Sequence, residues 1–157
     1  MRLLDDVQLA DYVLGIDPGP VEAGRVDHVI ASILNVKAGT IVWLSDHTLT
    51  KTKFRHPEID FTDYCMMPEI LFSGFATPGK KKRSVELCHV DTDSRGFKLW
   101  RVILKGTRRN EVFVTLFHRL DMKEARRLYR RAHKKGTLLR DHNNGLARRT
   151  LRRASRT

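Results

Sequence analysis

Between Ser45 and Glu58 the chain reads Ser-Asp-His-Thr-Leu-Thr-Lys-Thr-Lys-Phe-Arg-His-Pro-Glu, a short polar segment holding hydroxyls, Lys51, Lys53, Arg55 and two histidines. Histidine titrates near pH 6.5 and can give or take a proton, and lysine can hold a phosphate without a metal. This inventory suits cleavage of RNA through its own 2′-hydroxyl. Such a reaction needs a base for the 2′ proton, an acid for the 5′-oxygen and a cation for the phosphorane charge. His56 has the best functional case, being followed by Pro57 and flanked by Lys51, Lys53 and Arg55. Its structural alternative is a histidine that caps the last carbonyls of a helix. Lys105 ends a strand and precedes Gly106-Thr107-Arg108-Arg109, so it is either a second phosphate-binding cation or a solvated strand end.

Other chemistries lack their motifs. His47, His56, His89, His118 and His133 show no HExxH, HxH or Cys/His spacing, so no metal site and no cofactor are expected. Gly79-Lys80 lacks the upstream glycine and the following Ser/Thr of a phosphate-binding loop, and there is no GxSxG elbow. Thr115 and His118 lie on one strand and, by alternation, on opposite faces. His118 shares its parity with Val112, Val114 and Leu116, which predicts a buried structural histidine at the edge of the core. Trp43, Trp100 and Tyr64 read as core rather than as platforms for bases.

The elements that must position these residues follow from the pattern. Residues 1–25 form an N-terminal arm, with Asp17-Pro18-Gly19-Pro20 as a turn or linker. Val26, Ile30, Ile33 and Leu34 have helical spacing, with Asp27 near the start and Gly39 beyond the end. Ile41–Leu44 is a short buried strand, and Thr48–Arg55 a helix capped by Ser45 or Asp46 and ended by His56-Pro57. Asp60 caps a second helical segment, and Pro68 forces a break and a fresh turn that ends at Gly74. Gly79-Lys-Lys-Lys-Arg83 is a basic loop. The period then changes to two: strands over 84–90, 97–105 and 111–119 with short turns predict an antiparallel meander. Asp121-Met-Lys-Glu124 has capping-box spacing ahead of the apolar stripe Ala125, Leu128, Tyr129 and Ala132. Arg126, Arg127, Arg130, Arg131 and Lys134 occupy the opposite face. From Gly136 onward arginines dominate, Arg140 among them, and the tail is expected to be poorly ordered unless a partner holds it.

Composition bounds the partners. The 157 residues carry 30 Lys+Arg against 18 Asp+Glu, a formal charge of +12. That excess points to polyanions, nucleic acid first and acidic membrane surfaces second. Cys65 and Cys88 sit in apolar surroundings without ligand spacing, which predicts buried thiols in a reducing cytoplasm. Met1-Arg-Leu-Leu-Asp-Asp has acids where the apolar region of a signal peptide would run, and no apolar stretch approaches membrane-spanning length. No membrane partner is expected.

Two stretches together carry a family likeness. Trp43-Leu44-Ser45-xx-Thr48-xx-Lys51-xxxx-His56-Pro57-Glu58, followed by Asp63-Tyr64-xxx-Pro68-Glu69-Ile70-Leu71, resembles the phage-associated branch of the barnase–EndoU–colicin–RelE-like (BECR) nucleases. Trp100-Arg-Val-Ile-Leu-Lys105-Gly-Thr107-Arg108-xx-Glu111-xxx-Thr115-Leu-Phe-His118 is similar to that branch's sheet core. The resemblance covers about residues 40–120. It implies an α+β fold of helices packed on a roughly four-stranded antiparallel sheet. The chain then divides into the N-terminal arm, a nuclease domain over 26–120, and a basic helix and Arg-rich tail over 121–157 to which the resemblance does not extend. The resemblance also implies metal-independent ribonuclease activity, with Ser45, Thr48, Lys51, His56, Lys105, Thr107, Arg108 and Thr115 as the polar site positions. His56 would serve as general acid/base, and Lys51 with Lys105 as phosphate and transition-state cations. Thr115 completes the catalytic set, while Ser45 and Thr48 either orient these groups or cap the helix. Arg55, Arg126 and Arg130 join Ser45, Thr48, Thr107 and Arg108 as contacts to the RNA or DNA backbone.

Two functional classes follow. One is a phage or prophage ribonuclease acting as a toxin in the host cytoplasm, with an RelE-like variant needing an acidic antitoxin or immunity protein. The other is a non-catalytic nucleic-acid-binding protein carried in the virion or in packaging, in contact with phage head proteins. The Arg-rich helix and tail favour the second, and the 45–58 cluster favours the first.

Overall fold

The computed structural model describes residues 20–93 and 96–140. The chain is α+β. Its described strands form one mixed sheet: β1 (Val21–Arg25), β2 (Ile41–Leu44), β3 (Phe75–Pro78), β4 (Ser84–Asp93), β5 (Gly96–Gly106) and β6 (Val112–Arg119). Their order across the sheet is β1-β2-β6-β5-β4-β3. The expected meander is β4-β5-β6, with Ser84 opposite Lys105 and Arg101 opposite His118. The expectation of about four antiparallel strands is corrected to six, with β2 and β6 running parallel at Val42–Val112 and Trp43–Phe113.

The two unforeseen strands hide for physical reasons. Val-Glu-Ala-Gly-Arg in β1 contains a glycine and an irregular register between Glu22 and Gly24, so its alternation is broken. It belongs to the sheet, pairing antiparallel with β2, and the N-terminal arm therefore does not extend to residue 25. Phe-Ala-Thr-Pro in β3 is four residues long and ends on a proline, which cannot donate to a ladder.

Local signals set the helices. In α1 (His28–Leu34), Asp27 accepts a hydrogen bond from the Ile30 N–H, and Asn35 in the left-handed region ends the helix. Gly106 lets that helix end approach β5: a Cβ there would stand 2.8 Å from the Leu34 carbonyl oxygen. Ser45 caps α2 (Asp46–Arg55), and a reciprocal Asp60–Asp63 capping box starts α3 (Phe61–Cys65). Pro68 falls in the first turn of α4 (Met67–Ser73), where its missing N–H is not needed. Asp121 caps α5 (Met122–Lys134) through the Glu124 N–H.

The sheet separates two cores. On one face Ile30, Leu34, Leu49, Tyr64, Ile70 and Leu71 from the first four helices pack on Val42, Leu87, Trp100, Val102, Val114 and Phe117. On the other, α5 lays Ala125 and Tyr129 against Phe75, Cys88, Val90 and Leu99. Of the two cysteines, only Cys88 is buried; Cys65 is exposed, contrary to expectation, because it lies on the outer side of the short α3.

Two buried ionic nodes fasten these layers. The Asp63 carboxylate is 1% exposed and accepts from Trp100 Nε1 at 2.9 Å and from Arg119 Nε and Nη2 at 2.9 and 2.7 Å. Arg140 is 4% exposed, donating from Nη2 to the Leu71 carbonyl at 2.7 Å and from Nη1 to the Asp27 carboxylate at 2.5 Å. Its Nε reaches the Gly74 carbonyl at 3.2 Å, and its backbone pairs with Ala76. Arg140 therefore belongs to the folded domain and not to a loose tail, because the carbonyls at the end of α4 and the Asp27 carboxylate at the start of α1 converge on its guanidinium. Residues 136–139 of the predicted tail are likewise held, with the Leu139 N–H on the Ala76 carbonyl at 2.8 Å and Leu138 and Leu139 against the two cores; residues 141–157 lie outside the described residues.

Candidate functional site

The site grows from the place where β2 ends and α2 begins. Ser45 is extended, and its Oγ accepts from the Thr48 N–H at 3.3 Å, so the chain turns from strand to helix here. The parallel partner of β6 thus stops at Leu44, which would leave the β6 carbonyls beyond it unpaired. Side chains of α2 take over the ladder. Thr48 Oγ1 donates to the Val114 carbonyl at 2.8 Å, and Lys51 Nζ donates to the Thr115 carbonyl at 2.5 Å. Ser45 and buried Thr48 hold the helix in place, while Lys51 stays half-buried at the sheet margin.

A β-bulge then reorients the end of β6. Leu104 faces Val114 and Ile103 faces Leu116, so Thr115 is the extra residue; its Oγ1 donates to the Ile103 carbonyl at 3.2 Å. The insertion inverts the alternation beyond it. Val112, Val114 and Phe117 face the helical core, whereas Leu116 and His118 face the other side with Ile103 and Arg101. The expectation that His118 follows Val112 and Val114 into the core is thereby corrected.

His118 instead meets His56 from the end of α2. Their rings stack with centroids 4.8 Å apart and planes at 20°. His118 Nδ1 lies 2.7 Å from the Arg119 carbonyl. A carbonyl only accepts, so Nδ1 carries the proton and the neutral ring presents its Nε2 lone pair. His56 Nδ1 stands 3.4 Å from Glu58 Oε1, an ion-pair contact rather than a hydrogen bond. Burial pushes the His118 pKa down; the Arg119 carbonyl opposes this, and the His56 and Arg101 charges add to it. Arg101 sits across the pair from His118, with Nε held by Glu86 Oε1 at 2.5 Å. Sequence reasoning missed Glu58, Arg101 and the role of His118, and the bulge that assembles them left no signal in the residue alternation.

The expected site residues therefore divide. Lys51, Arg55 and His56 line one crevice of about 20 Å³ with Leu116 and Phe117, room for a water beside His56. Lys105, Thr107 and Arg108 line a separate open hollow of about 390 Å³ with Lys82, Arg83 and Gly106. Lys105 and Arg101 share a face of β5 four positions apart, roughly 13 Å along the strand. They occupy one surface but not one cleft. Thr107 also closes its turn, its Oγ1 accepting from the Arg109 and Glu111 N–H groups. Thr115 spends its hydroxyl on the bulge. On α5, Arg130 is exposed and Arg126 half-buried. Trp100 and Tyr64 are core as expected, whereas Trp43 is half-exposed on the face opposite Val42.

The histidines give a pH signature. His89, 4% exposed and stacked on Trp100, also has its pKa pushed down by burial. The folded chain therefore binds fewer protons than the unfolded chain near pH 6, and stability rises with pH there. This contribution is complete above about pH 6.5 and is lost as pH falls through the lowered folded values. Thermal midpoints measured from pH 8 to pH 5 should fall across that range, and His89→Gln with His118→Gln should flatten the fall. A separate loss below about pH 4 is expected from Asp27 and Asp60. Burial opposes ionisation of Asp27, but the Ile30 N–H and Arg140 outweigh it; the Thr62 hydroxyl leads in holding Asp60 low.

No helix of the described residues is long and apolar enough to cross a membrane. Compared with known proteins, the chain matches no family model, no curated protein and no solved structure.

Proposed function

We propose that the chain is a ribonuclease-like protein that cleaves RNA by attack of the 2′-hydroxyl, using His56 and His118 as its proton-transfer pair. The observation that carries this reading is the stacked imidazole pair, with His118 turned by the Arg119 carbonyl at Nδ1 so that its Nε2 is left for chemistry, and His56 beside the Glu58 carboxylate. His118, neutral at pH 7, takes the 2′ proton as the 2′-oxygen–phosphorus bond forms. His56 in its protonated form gives a proton to the 5′-oxygen as the phosphorus–oxygen bond breaks, leaving a 2′,3′-cyclic phosphate and a 5′-hydroxyl. Lys51 and Arg55, which line the crevice with His56, and Arg101, opposite His118 on β5, meet the phosphorane charge. The likeness to BECR nucleases of phage origin supports the same chemistry and a phage or prophage setting, with host cytoplasmic RNA as target. Lys105, Thr107 and Arg108 then act in binding at a distance from the reacting phosphate.

The test is incubation of purified protein with RNA in EDTA, beside an oligonucleotide carrying one 2′-deoxy sugar at the scissile position. Cleavage of the first and survival of the second is expected. Equal cleavage of both would overturn the 2′-hydroxyl mechanism.

A second reading is supported by a different region. Arg131 and Lys135 of the α5 end face Lys80 across a cleft of about 200 Å³ beside Thr77 and Glu86, and Arg127, Arg130 and Lys134 are exposed nearby on α5. Such a basic strip suits backbone binding without catalysis, as in a virion or packaging protein. It predicts steep loss of nucleic-acid affinity with salt, and a shallower slope for Arg130→Ala combined with Arg131→Ala.

A further inference from the structure

Five apolar or aromatic side chains on the α5 side of the sheet stand outside both cores: Ile41, Trp43, Ile103, Phe113 and Leu116, all half-exposed. The helix α5 covers β3, β4 and the far end of β5, and this corner, built by β2, β6 and the near end of β5, has no described helix over it. Trp43 and Phe113 are direct partners on the parallel strands β2 and β6. Lys105 is the next residue in the same row, opposite Phe113 on β5. One row along the sheet come Leu116 and Ile103, and the next row holds His118 and Arg101.

We infer that this corner, uncovered by any helix among the described residues, is a stacking platform for unpaired bases, so that the nucleic acid bound here is single-stranded. This deepens the ribonuclease reading and rests on it for the choice of RNA. Two aromatic side chains on paired positions of neighbouring strands offer π faces that any exposed base can cover, and a duplex hides the faces of its own bases. The charge beside the platform matches. The hollow of about 390 Å³ at its edge is lined by Lys82, Arg83, Lys105 and Arg108 with no carboxylate among its lining residues. Glu22, the acidic neighbour of Trp43 in that row, is occupied by Arg25 Nε at 3.2 Å. Glu111, half-exposed after the turn, is the carboxylate closest in sequence to Phe113. A strand whose bases lie on Trp43 and Phe113 places one phosphate over Lys105 and Arg108. The next nucleotides run along the rows toward His118 and His56, which explains why Lys105 and the histidine pair share a surface while standing apart.

The experiment uses a fluorescein-labelled oligoribonucleotide, 2′-O-methylated throughout so that it cannot be cleaved, as a single strand and as a blunt duplex of the same length. The full chain should bind the single strand more tightly. Trp43→Leu should weaken that binding roughly 5- to 150-fold, and Trp43→Phe should restore most of it. Lys105→Ala should weaken binding and reduce its salt slope by about one. Binding of the single strand should also quench the tryptophan emission, and the Trp43→Phe variant, which keeps only the buried Trp100, should lose that response. Equal affinity for duplex and single strand, or Trp43→Leu affinity equal to wild type, would overturn the platform. Because the ligand cannot react, a chain that stacks single strands but leaves cleavable RNA intact would sink the catalytic reading and keep this one. Cleavage that is indifferent to Trp43→Leu in KM would do the reverse.

Discussion

Replacing Arg140 by alanine is expected to destabilise the protein by about 3–5 kcal/mol, the range seen when one partner of a buried ion pair is removed. The guanidinium is the shared donor for Asp27, for the Leu71 carbonyl and for the Gly74 carbonyl. Without it two carbonyls at the end of α4 lose their donor, at about 1–3 kcal/mol for each that stays dry. The Asp27 carboxylate keeps the Ile30 N–H and partial access to water, so its share is the smaller one. A midpoint drop of roughly 6–20 °C should follow for a domain of this size. Arg140→Lys keeps the charge but not the planar fork, and should lose an intermediate amount. A drop of under 2 °C for Arg140→Ala would show that the segment after α5 does not hold the two helix ends together.

His118→Ala and His56→Ala should each slow RNA cleavage by roughly 10²- to 10⁴-fold, the usual worth of a positioned general acid or base. Two groups that act in one transition state are not additive, so the double variant should be little slower than either alone. Binding of the uncleavable single strand should persist in all three. Because the His118 pKa is pushed down, the acidic limb of kcat/KM, where the base becomes protonated, should turn at a pH below that of a free imidazole. Glu58→Gln should alter that profile without erasing activity, since Glu58 neighbours the His56 ring and does not carry the proton; Arg101→Ala should alter the profile and also lower the rate, since Arg101 meets the phosphorane charge. Cleavage by His118→Ala at the wild-type rate would remove the histidine pair from the mechanism.

Much of the local structure was legible. Ser45, Asp60 and Asp121 each announce a helix start by the same device, a short acceptor side chain aimed at a free N–H, and the structure shows all three. The strands β4, β5 and β6 follow from a period of two, and Pro68 from its missing donor. What could not be read depends on partners distant in the chain. β1 and β3 are too short or too irregular to declare themselves, and they are strands because β2 and β4 supply a ladder. The parallel β2–β6 pair joins residues 70 positions apart, which no local pattern encodes. The site was half legible for the same reason. His56 and Lys51 stand out by composition, but His118 was assigned to the wrong face because one inserted residue at Thr115 reverses the strand's parity. Lys105 was rightly placed at a strand end, and its separation from His56 is a property of the sheet and not of the spacing.

The parallel junction between β2 and β6 also bears on how the chain reaches this state. Until β6 exists, β1 and β2 are a lone two-stranded ribbon, an arrangement marginal in water without a third strand or a packed helix. α2 is equally incomplete, because Thr48 and Lys51 find their acceptors only on β6. The first half of the molecule must therefore wait for the second, and closing that long loop precedes any reward from the contacts it brings. Folding should be slow for the size of the domain and close to all-or-none. The histidine pair, one ring from each half, comes together only at its end.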